Sequence, residues 1–372
     1  FTVPKFHVDE NGNPGERNGV SLAGLIHKLG YRGTTSTALS FGDDAPCHGY
    51  LVGEPHQGLK YMFQMMNEAR IGVGFGAAVI GYRGYMHSLE YAKDRLQGRK
   101  ASEKNPESPQ VPIIDHADVR RMLLAQKAYS EGGLALCLYG ARLMDDQHTH
   151  PDEQKRMEAG KLLDLLTPVI KAWPSEYGPK ANDLAIQVYG GAGYTREYPV
   201  EQCWRDNRLN PIHEGTNGIQ ALDLLGRKIW QDQSHGLQLL MQEMQTDLQA
   251  ATTDRCQQWA LSLSETLQQA VKVTQSLGKS LMGGEVDKTL ANASCYLHLF
   301  GHIIVAWMWL RQANAAANAL ASANSDSERN FYQGKLQAAQ YFFHWELPTV
   351  AQDLVLLRNQ DDTCLNMKAD WF

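Results

Sequence analysis

Cysteine pairs, long apolar runs, internal repeats and a surplus of basic charge are all missing from this chain. Its six cysteines (Cys47, Cys137, Cys203, Cys256, Cys295 and Cys364) are scattered, with no CxxC pair. That argues against a disulfide framework and a zinc site, and suits a reducing, cytoplasmic compartment. The formal net charge of −6 argues against a nucleic-acid surface, because phosphate binding needs a concentrated basic face. The nearest approach to a membrane span, CYLHLFGHIIVAWMWL at residues 295–310, holds two histidines and a glycine. It is short of the roughly 20 apolar residues a span needs and reads as a buried core helix. No self-similarity at a solenoid period is present. No signal peptide precedes Phe1-Thr2-Val3-Pro4, which reads as the middle of a strand.

What is present suits two or three domains, since 372 residues can bury real cores. Residues 1–53 carry β-branched and alternating pieces (FTVPKFHV, STALSFG) punctuated by turn residues. So small a piece cannot stand alone as a sheet. From Pro55 the spacing becomes helical, and the prolines at 106, 109 and 112 end that unit. A second helix is predicted over 115–144. A third begins at Pro151 and is predicted to break at Trp173-Pro174, because proline removes a hydrogen bond and clashes within a helix. Helical character resumes at 180–188, with further pieces at 199–204 and 218–230. Long helices with short connections predict an antiparallel four-helix bundle over 54–232. Residues 233–372 read as an additional helical domain, with a helix break at NSDSER, residues 324–329. The fold expected is mainly α.

Three small patterns have structural readings. Gly72-Val73-Gly74-Phe75-Gly76-Ala77 imitates a dinucleotide fingerprint but has no strand before it, so the small residues predict close helix packing. His298 and His302 have a metal-compatible spacing but no third ligand, and read as a core or interface pair. His148 and His150 read as loop residues.

The most informative stretch is QVYGGAGYTREYPVEQCWRDNRLNPIHEGTNGIQ, residues 187–220. Gln187-Val188-Tyr189-Gly190-Gly191 ends on a glycine pair that exposes backbone N–H groups, or simply caps a helix. Glu214 precedes Gly215 and Thr216. A carboxylate beside glycine suits a base aimed at a carbon acid, because glycine permits close approach to a ligand. Glu214 also reads as a first-turn glutamate ahead of the helix from Gly218.

Two such turns in this order and spacing resemble the C-terminal signature of the acyl-CoA dehydrogenase family, over residues 28–230. The resemblance implies FAD-dependent α,β-dehydrogenation of an acyl-CoA, with Glu214 as the base that removes the α-proton. Its amide and a flavin ribose hydroxyl would polarise the thioester carbonyl. The same resemblance implies substrate contacts at Arg70, Asn67 and Gly215. It implies FAD contacts at Arg95, Gln187, Val188, Tyr189, Gly190, Gly191, Thr216 and Gly218, with the Gln187 turn reaching FAD held by a neighbouring subunit. It further implies a homo-oligomer (dimer or tetramer) and an electron-transfer flavoprotein as acceptor.

Departures are visible too. Arg95-Leu96-Gln97-Gly98 lacks the phenylalanine that follows the family arginine, and a polar insertion fills 99–110. Asparagine stands at 67 where aspartate is commoner, and His213 where the family usually has tyrosine. Residues 1–53 read as the end of the family's middle β domain. An N-terminal helical domain and the front of that β domain would therefore precede residue 1. On that expectation the 372-residue chain alone takes up little FAD and lacks activity. Residues 233–372 are similar to the extra domain of a longer subgroup that includes methylthiopropanoyl-CoA dehydrogenases. Two other readings are a DNA-damage-protective flavoprotein of the same fold and a non-catalytic oligomerisation module. The first wants a basic C-terminal region, and the second leaves Glu214 and the Gln187 turn without a reason to coexist.

Overall fold

The computed structural model describes the backbone of residues 1–372 and all side chains except those of residues 63 and 64. Its contacts divide the chain into two units, Phe1–Glu68 and Ala69–Phe372.

The first unit holds two separate antiparallel pairs. Strand β1 (Phe6–Val8) pairs with β2 (Pro14–Arg17), and β3 (Val20–Leu25) with β4 (Thr37–Phe41). Asp9 shapes the first hairpin, its Oδ1 accepting from the amides of Asn11 (2.9 Å) and Asn13 (2.8 Å). Asn18 is the buried anchor: its Nδ2 donates to the carbonyls of Pro4 (2.9 Å) and His48 (2.8 Å). Leu22, Leu25, Leu39 and Phe41 on the second pair are all more than half exposed. These strands lack the buried face an independent sheet needs.

The second unit is helical. Helix α1 (Gly58–Asp94) enters it at Ala69 and is followed by α2 (Ala117–Thr149) and α3 (Glu153–Tyr189). Helices α1 and α3 run parallel, because Gly74 meets Ile170, Gly81 meets Gly178 and Tyr91 stacks on Tyr189 at 4.0 Å between ring centroids. Helix α2 runs against both, packing Gly140 on Ile170 and Gly133 on Trp173 and Pro174. Asp152 starts α3, its Oδ1 accepting from the Gln154 amide at 2.9 Å.

The break expected at Trp173-Pro174 does not occur. Helix α3 continues through Pro168, Pro174 and Pro179. Pro174 leaves the Ile170 carbonyl without its helical donor, and the bare Cα of Gly74 on α1 fills that place. Next to the other irregular points, Thr167 Oγ1 donates to the Leu163 carbonyl (2.6 Å) and Ser175 Oγ to that of Lys171 (2.5 Å). Tertiary packing outweighs the local cost of the prolines. The small residues of α1 thus serve close helix packing, although Gly72 and Gly76 face open space.

Short helices α4 (Val200–Asn207) and α5 (Asn217–Gly226) follow, with α5 packed on α3. Then come α6 (Gln231–Gln249), α7 (Asp254–Met282), α8 (Val286–Leu290), α9 (Ala293–Leu320), α10 (Asp326–Tyr341), α11 (Ala351–Asn359) and α12 (Thr363–Asn366). Asp232, Gln233 and Ser234 break helical geometry inside α6 with positive φ angles. The largest hydrophobic cluster, from Ile71 to Leu357, crosses that point.

Helix α9 is its centre. By length and composition it would cross a membrane, but 83% of its most apolar window is buried in the protein. The indoles of Trp307 and Trp309 are fully buried and donate to Asp247 Oδ2 (2.7 Å) and the Ala128 carbonyl (3.1 Å). His298 Nε2 meets Tyr177 OH at 2.8 Å and its Nδ1 meets Asp353 Oδ2 at 2.6 Å, tying α9 to α3 and α11. His302 is fully buried, and burial pushes its pKa well below the usual imidazole value. His302 is thus a core residue and the half-buried His298 joins helices at their interface, and no metal-holding cluster occurs among the described residues. His148 lies in the last turn of α2 and His150 is its C-cap. All six cysteines are free.

Candidate active site around Glu214

Between α4 and α5 the chain makes a left-handed turn. Glu214 has φ +54° and Gly215 φ +84°. For a non-glycine residue that conformation costs on the order of 1–2 kcal/mol, so the surroundings must hold it. Backbone bonds brace the turn: the His213 amide donates to Leu209 (3.2 Å) and the Asn217 amide to Pro211 (3.0 Å). Thr216 caps α5, its Oγ1 accepting from the Ile219 amide at 3.3 Å. Its hydroxyl proton is left to donate elsewhere. The Glu214 carboxylate faces solvent.

Two fully buried side chains reach the same turn from different helices. Lys171 of α3 donates from Nζ to the Gly215 carbonyl at 2.7 Å and reaches Asn217 Oδ1 at 3.4 Å. Gln220 of α5 donates from Nε2 to the carbonyls of Glu214 (3.2 Å) and Gly215 (3.4 Å). Burial, then the nearby Arg70 charge, push the Lys171 pKa down to about 8, while Glu214 pulls the other way. Asn217 Nδ2 extends the network to Glu176 Oε2 at 3.3 Å.

Arg70 is buried and pairs with Asp223 of α5, Nη1 to Oδ2, at 3.3 Å. Arg227 shares that carboxylate through Oδ1 at 2.7 Å. Asp223 is thus the carboxylate partner of Arg70. Arg70 Nε and Gln220 Oε1 are buried without a partner among the described residues. Asn67 lies on α1 in the first unit and is half-buried.

His213 ends a ladder of buried amides. Asn182 Nδ2 donates to the Ile80 carbonyl (3.0 Å), and Asn182 Oδ1 accepts from Asn207 Nδ2 (2.7 Å). Asn207 Oδ1 accepts from Asn210 Nδ2 (2.7 Å), and Asn210 Oδ1 faces His213 Nε2 at 3.1 Å. The carbonyl of α1 orients every amide, so His213 is the donor through Nε2 and leaves Nδ1 unprotonated. Burial, then the Lys171 charge, push its pKa below the usual imidazole value, opposed by Glu214. The residue beside Glu214 is a neutral imidazole at neutral pH.

The other expected contacts gather at the far end of the bundle. Tyr189 closes α3, and Gly190 (φ +60°) caps it, its amide donating to the Gln187 carbonyl. Val188 and Tyr189 are buried while Gln187, Gly190 and Gly191 are exposed. Nothing lies within 4 Å of where a Cβ would stand at Gly190 or Gly191. Tyr91, which stacks on Tyr189, receives the Arg95 amide at 2.9 Å, so Arg95 sits at this same end. Its guanidinium is exposed and makes no side-chain hydrogen bond or ion pair with the described residues. An exposed cation beside two open glycines fits an anionic group such as a pyrophosphate. Gln187 stands about 24 Å beyond Lys171, at about 1.5 Å of rise per residue. One chain thus holds two separate clusters: Arg95 with 187–191, and Arg70 with 214–218.

Lys171, Gln220, Asp223 and the asparagine ladder were not singled out by sequence. Lys171 had a signal, being the lone charge in LLTPVIKAWP. A charge there must be buried with partners.

Comparison with known proteins bears on this geometry. A family profile described as acyl-CoA dehydrogenase, C-terminal domain matches residues 56–229. A second, acetyl-CoA dehydrogenase C-terminal like, matches residues 240–368. A broad-specificity linear acyl-CoA dehydrogenase of Mycobacterium tuberculosis is 34% identical over 99% of this chain and 62% of its own length. A 3-methylmercaptopropionyl-CoA dehydrogenase of Ruegeria pomeroyi is 34% identical over 92% of this chain and 57% of its own. The chain thus spans about three fifths of these relatives. Among solved structures, Caenorhabditis elegans ACDH-11 in complex with C11-CoA has a TM-score of 0.73 at 18% identity, covering 98% of this chain and 53% of that one. An acyl-CoA dehydrogenase of Bacillus anthracis complexed with FAD has a TM-score of 0.71 at 20% identity, covering 93% of this chain and 58% of that one. At these identities the solved structures establish the fold alone. By the two profiles and the curated relatives, the chain belongs to the acyl-CoA dehydrogenase family.

Proposed function

We propose that the full-length protein carries out FAD-dependent α,β-dehydrogenation of an acyl-CoA thioester, with Glu214 as the base. The observation that carries this is the left-handed Glu214-Gly215 pair, an exposed carboxylate on a strained turn gripped by buried side chains. Strain of this kind persists where the surrounding structure over-determines it, and such positions cluster at active sites. FAD, when bound, would accept the β-hydride. Glu214 would remove the α-proton, and its own amide is free of partners within the turn to donate to the thioester oxygen. The neutral His213 places no cation next to that carboxylate.

Arg95 and residues 187–191 would hold the phosphate portion of FAD, and Thr216 and Gly218 its flavin side. Because one cluster lies at the C-terminal end of α3 and the other beside its middle, about 24 Å away at about 1.5 Å of rise per residue, we assign them to different FAD molecules, each completed by a neighbouring copy of the chain. A homo-oligomer, a dimer or tetramer, follows from that assignment. Arg70 and Asn67 are read as acyl-CoA contacts, with an electron-transfer flavoprotein as acceptor. The relatives named above make linear and thioether acyl groups the first substrates to try.

The test uses the full-length protein and compares it with Glu214→Gln for acyl-CoA-dependent flavin bleaching, over short, long, branched and thioether chains. Bleaching lost while FAD stays bound supports the reading, and bleaching kept moves the base elsewhere. The 372-residue chain by itself should take up little FAD. A yellow preparation that an acyl-CoA bleaches would overturn that expectation.

A further inference from the structure

We propose that Lys171, together with Gln220, is a positioning residue for Glu214, fixing the direction in which its carboxylate leaves the turn. The inference rests on the reading of Glu214 as the base. Lys171 lies in the middle of α3 and Gln220 on the first turns of α5, and neither side chain reaches solvent. Their donors converge on two successive carbonyls, Glu214 and Gly215, the two residues with left-handed backbone.

Chemistry separates this arrangement from filler. A buried ammonium is costly, and an apolar side chain would pack the middle of α3 at no such cost. Lys171 has no carboxylate within ion-pair distance among the described residues, and its 2.7 Å bond goes instead to a backbone oxygen of the strained pair. Gly215 is confined from the other side, since a Cβ there would stand 2.7 Å from Gln220 Nε2. The carbonyl directions set the peptide planes on both sides of the Glu214–Gly215 link. Those planes in turn set the Cα–Cβ vector of Glu214. Arg70, His213 and Glu214 are the charged or titratable groups that act on Lys171 or share its turn, and Glu176 joins through Asn217. Lys171 does not itself reach the bulk solvent from which a substrate would enter, so it acts through the turn.

The experiment has two arms, with Lys171→Met and Gln220→Met each removing one donor set at similar volume. In the 372-residue chain, hydrogen exchange at the amides of His213 and Asn217 is compared with that of the α9 amides. Release of the turn should speed the first set at least ~10-fold and leave α9 unchanged. In the full-length protein, acyl-CoA-dependent flavin reduction per bound FAD should fall ~100-fold with KM within about threefold, as for a misaimed catalytic group. In a Glu214→Gln background the Lys171→Met effect should vanish.

Unchanged exchange in both variants overturns the proposal. So does faster exchange with full activity per FAD while Glu214→Gln is inactive, since Lys171 would then be structural only. An active Glu214→Gln sinks the reading of the base instead, and the exchange arm still decides whether the clamp exists. If Lys171→Met fails to fold, Gln220→Met carries the same comparison from α5.

Discussion

The Ile170 carbonyl, released from its helical bond by Pro174, is met by the bare Cα of Gly74 on the parallel helix α1. That one contact explains how α3 passes through a proline without breaking and why α1 carries glycine where it does.

Gly74→Ala should therefore destabilise the chain by about 2–3 kcal/mol, because the new methyl overlaps a backbone oxygen that cannot rotate away. Gly72→Ala, at a position open to solvent, should be neutral or stabilising by about 0.5–1 kcal/mol from helix propensity. Urea unfolding of both variants checks the pair, and equal effects would contradict the packing described.

At position 214 the backbone itself is testable. Glu214→Gly should be more stable than Glu214→Ala by about 1 kcal/mol, since only glycine takes φ +54° without strain. This reverses the usual order of the two residues. Denaturant midpoints of the two variants decide it.

Lys171 should leave a mark on stability at alkaline pH. Its pKa is about 8 in the fold against an ordinary 10.5, so the native chain loses this proton first. Between those values the unfolded state binds more protons, and the contribution to stability rises with pH. Below pH 8 both states are protonated and it is flat. The Tm of the native chain minus that of Lys171→Met should rise from pH 8 to 10, and a constant difference would place the Lys171 pKa near its ordinary value.

Glu346 behaves in the opposite sense. Tyr129 OH donates to its Oε1 at 2.8 Å, yet burial pushes the carboxyl pKa above its ordinary value. The folded state therefore holds a proton that the unfolded state has released, and this group's contribution is fully present below the unfolded pKa and lost as pH rises through the folded one. Tyr129→Phe should cost about 1–3 kcal/mol where Glu346 is ionised, because a buried carboxylate then loses one of its donors. The cost should shrink as pH falls through the raised carboxyl pKa. Thermal melts across a pH series test this.

Much was legible in order along the chain. Periodicity marked the long helices of the bundle and the apolar core helix at 295–310, because a 3.6-residue repeat and a buried composition are local properties. The paired glycines at 190–191 and the Glu-Gly-Thr segment were legible for the same reason, as turns that only certain residues adopt. What local rules mispredicted was α3: proline penalties are local, but the compensation came from Gly74 about a hundred residues earlier in the chain.

Sequence by itself thus determined which residues lie on helices, which turn carries the carboxylate and which family the signature resembles. Tertiary structure alone decided the partners. It brought Lys171 and Gln220 to one pair of carbonyls, set His213 through three asparagines, gave Arg70 to Asp223, and parted the Arg95 end of the bundle from the Glu214 end. Those pairings depend on where helices far apart in sequence come to lie, and no spacing along the chain encodes that distance.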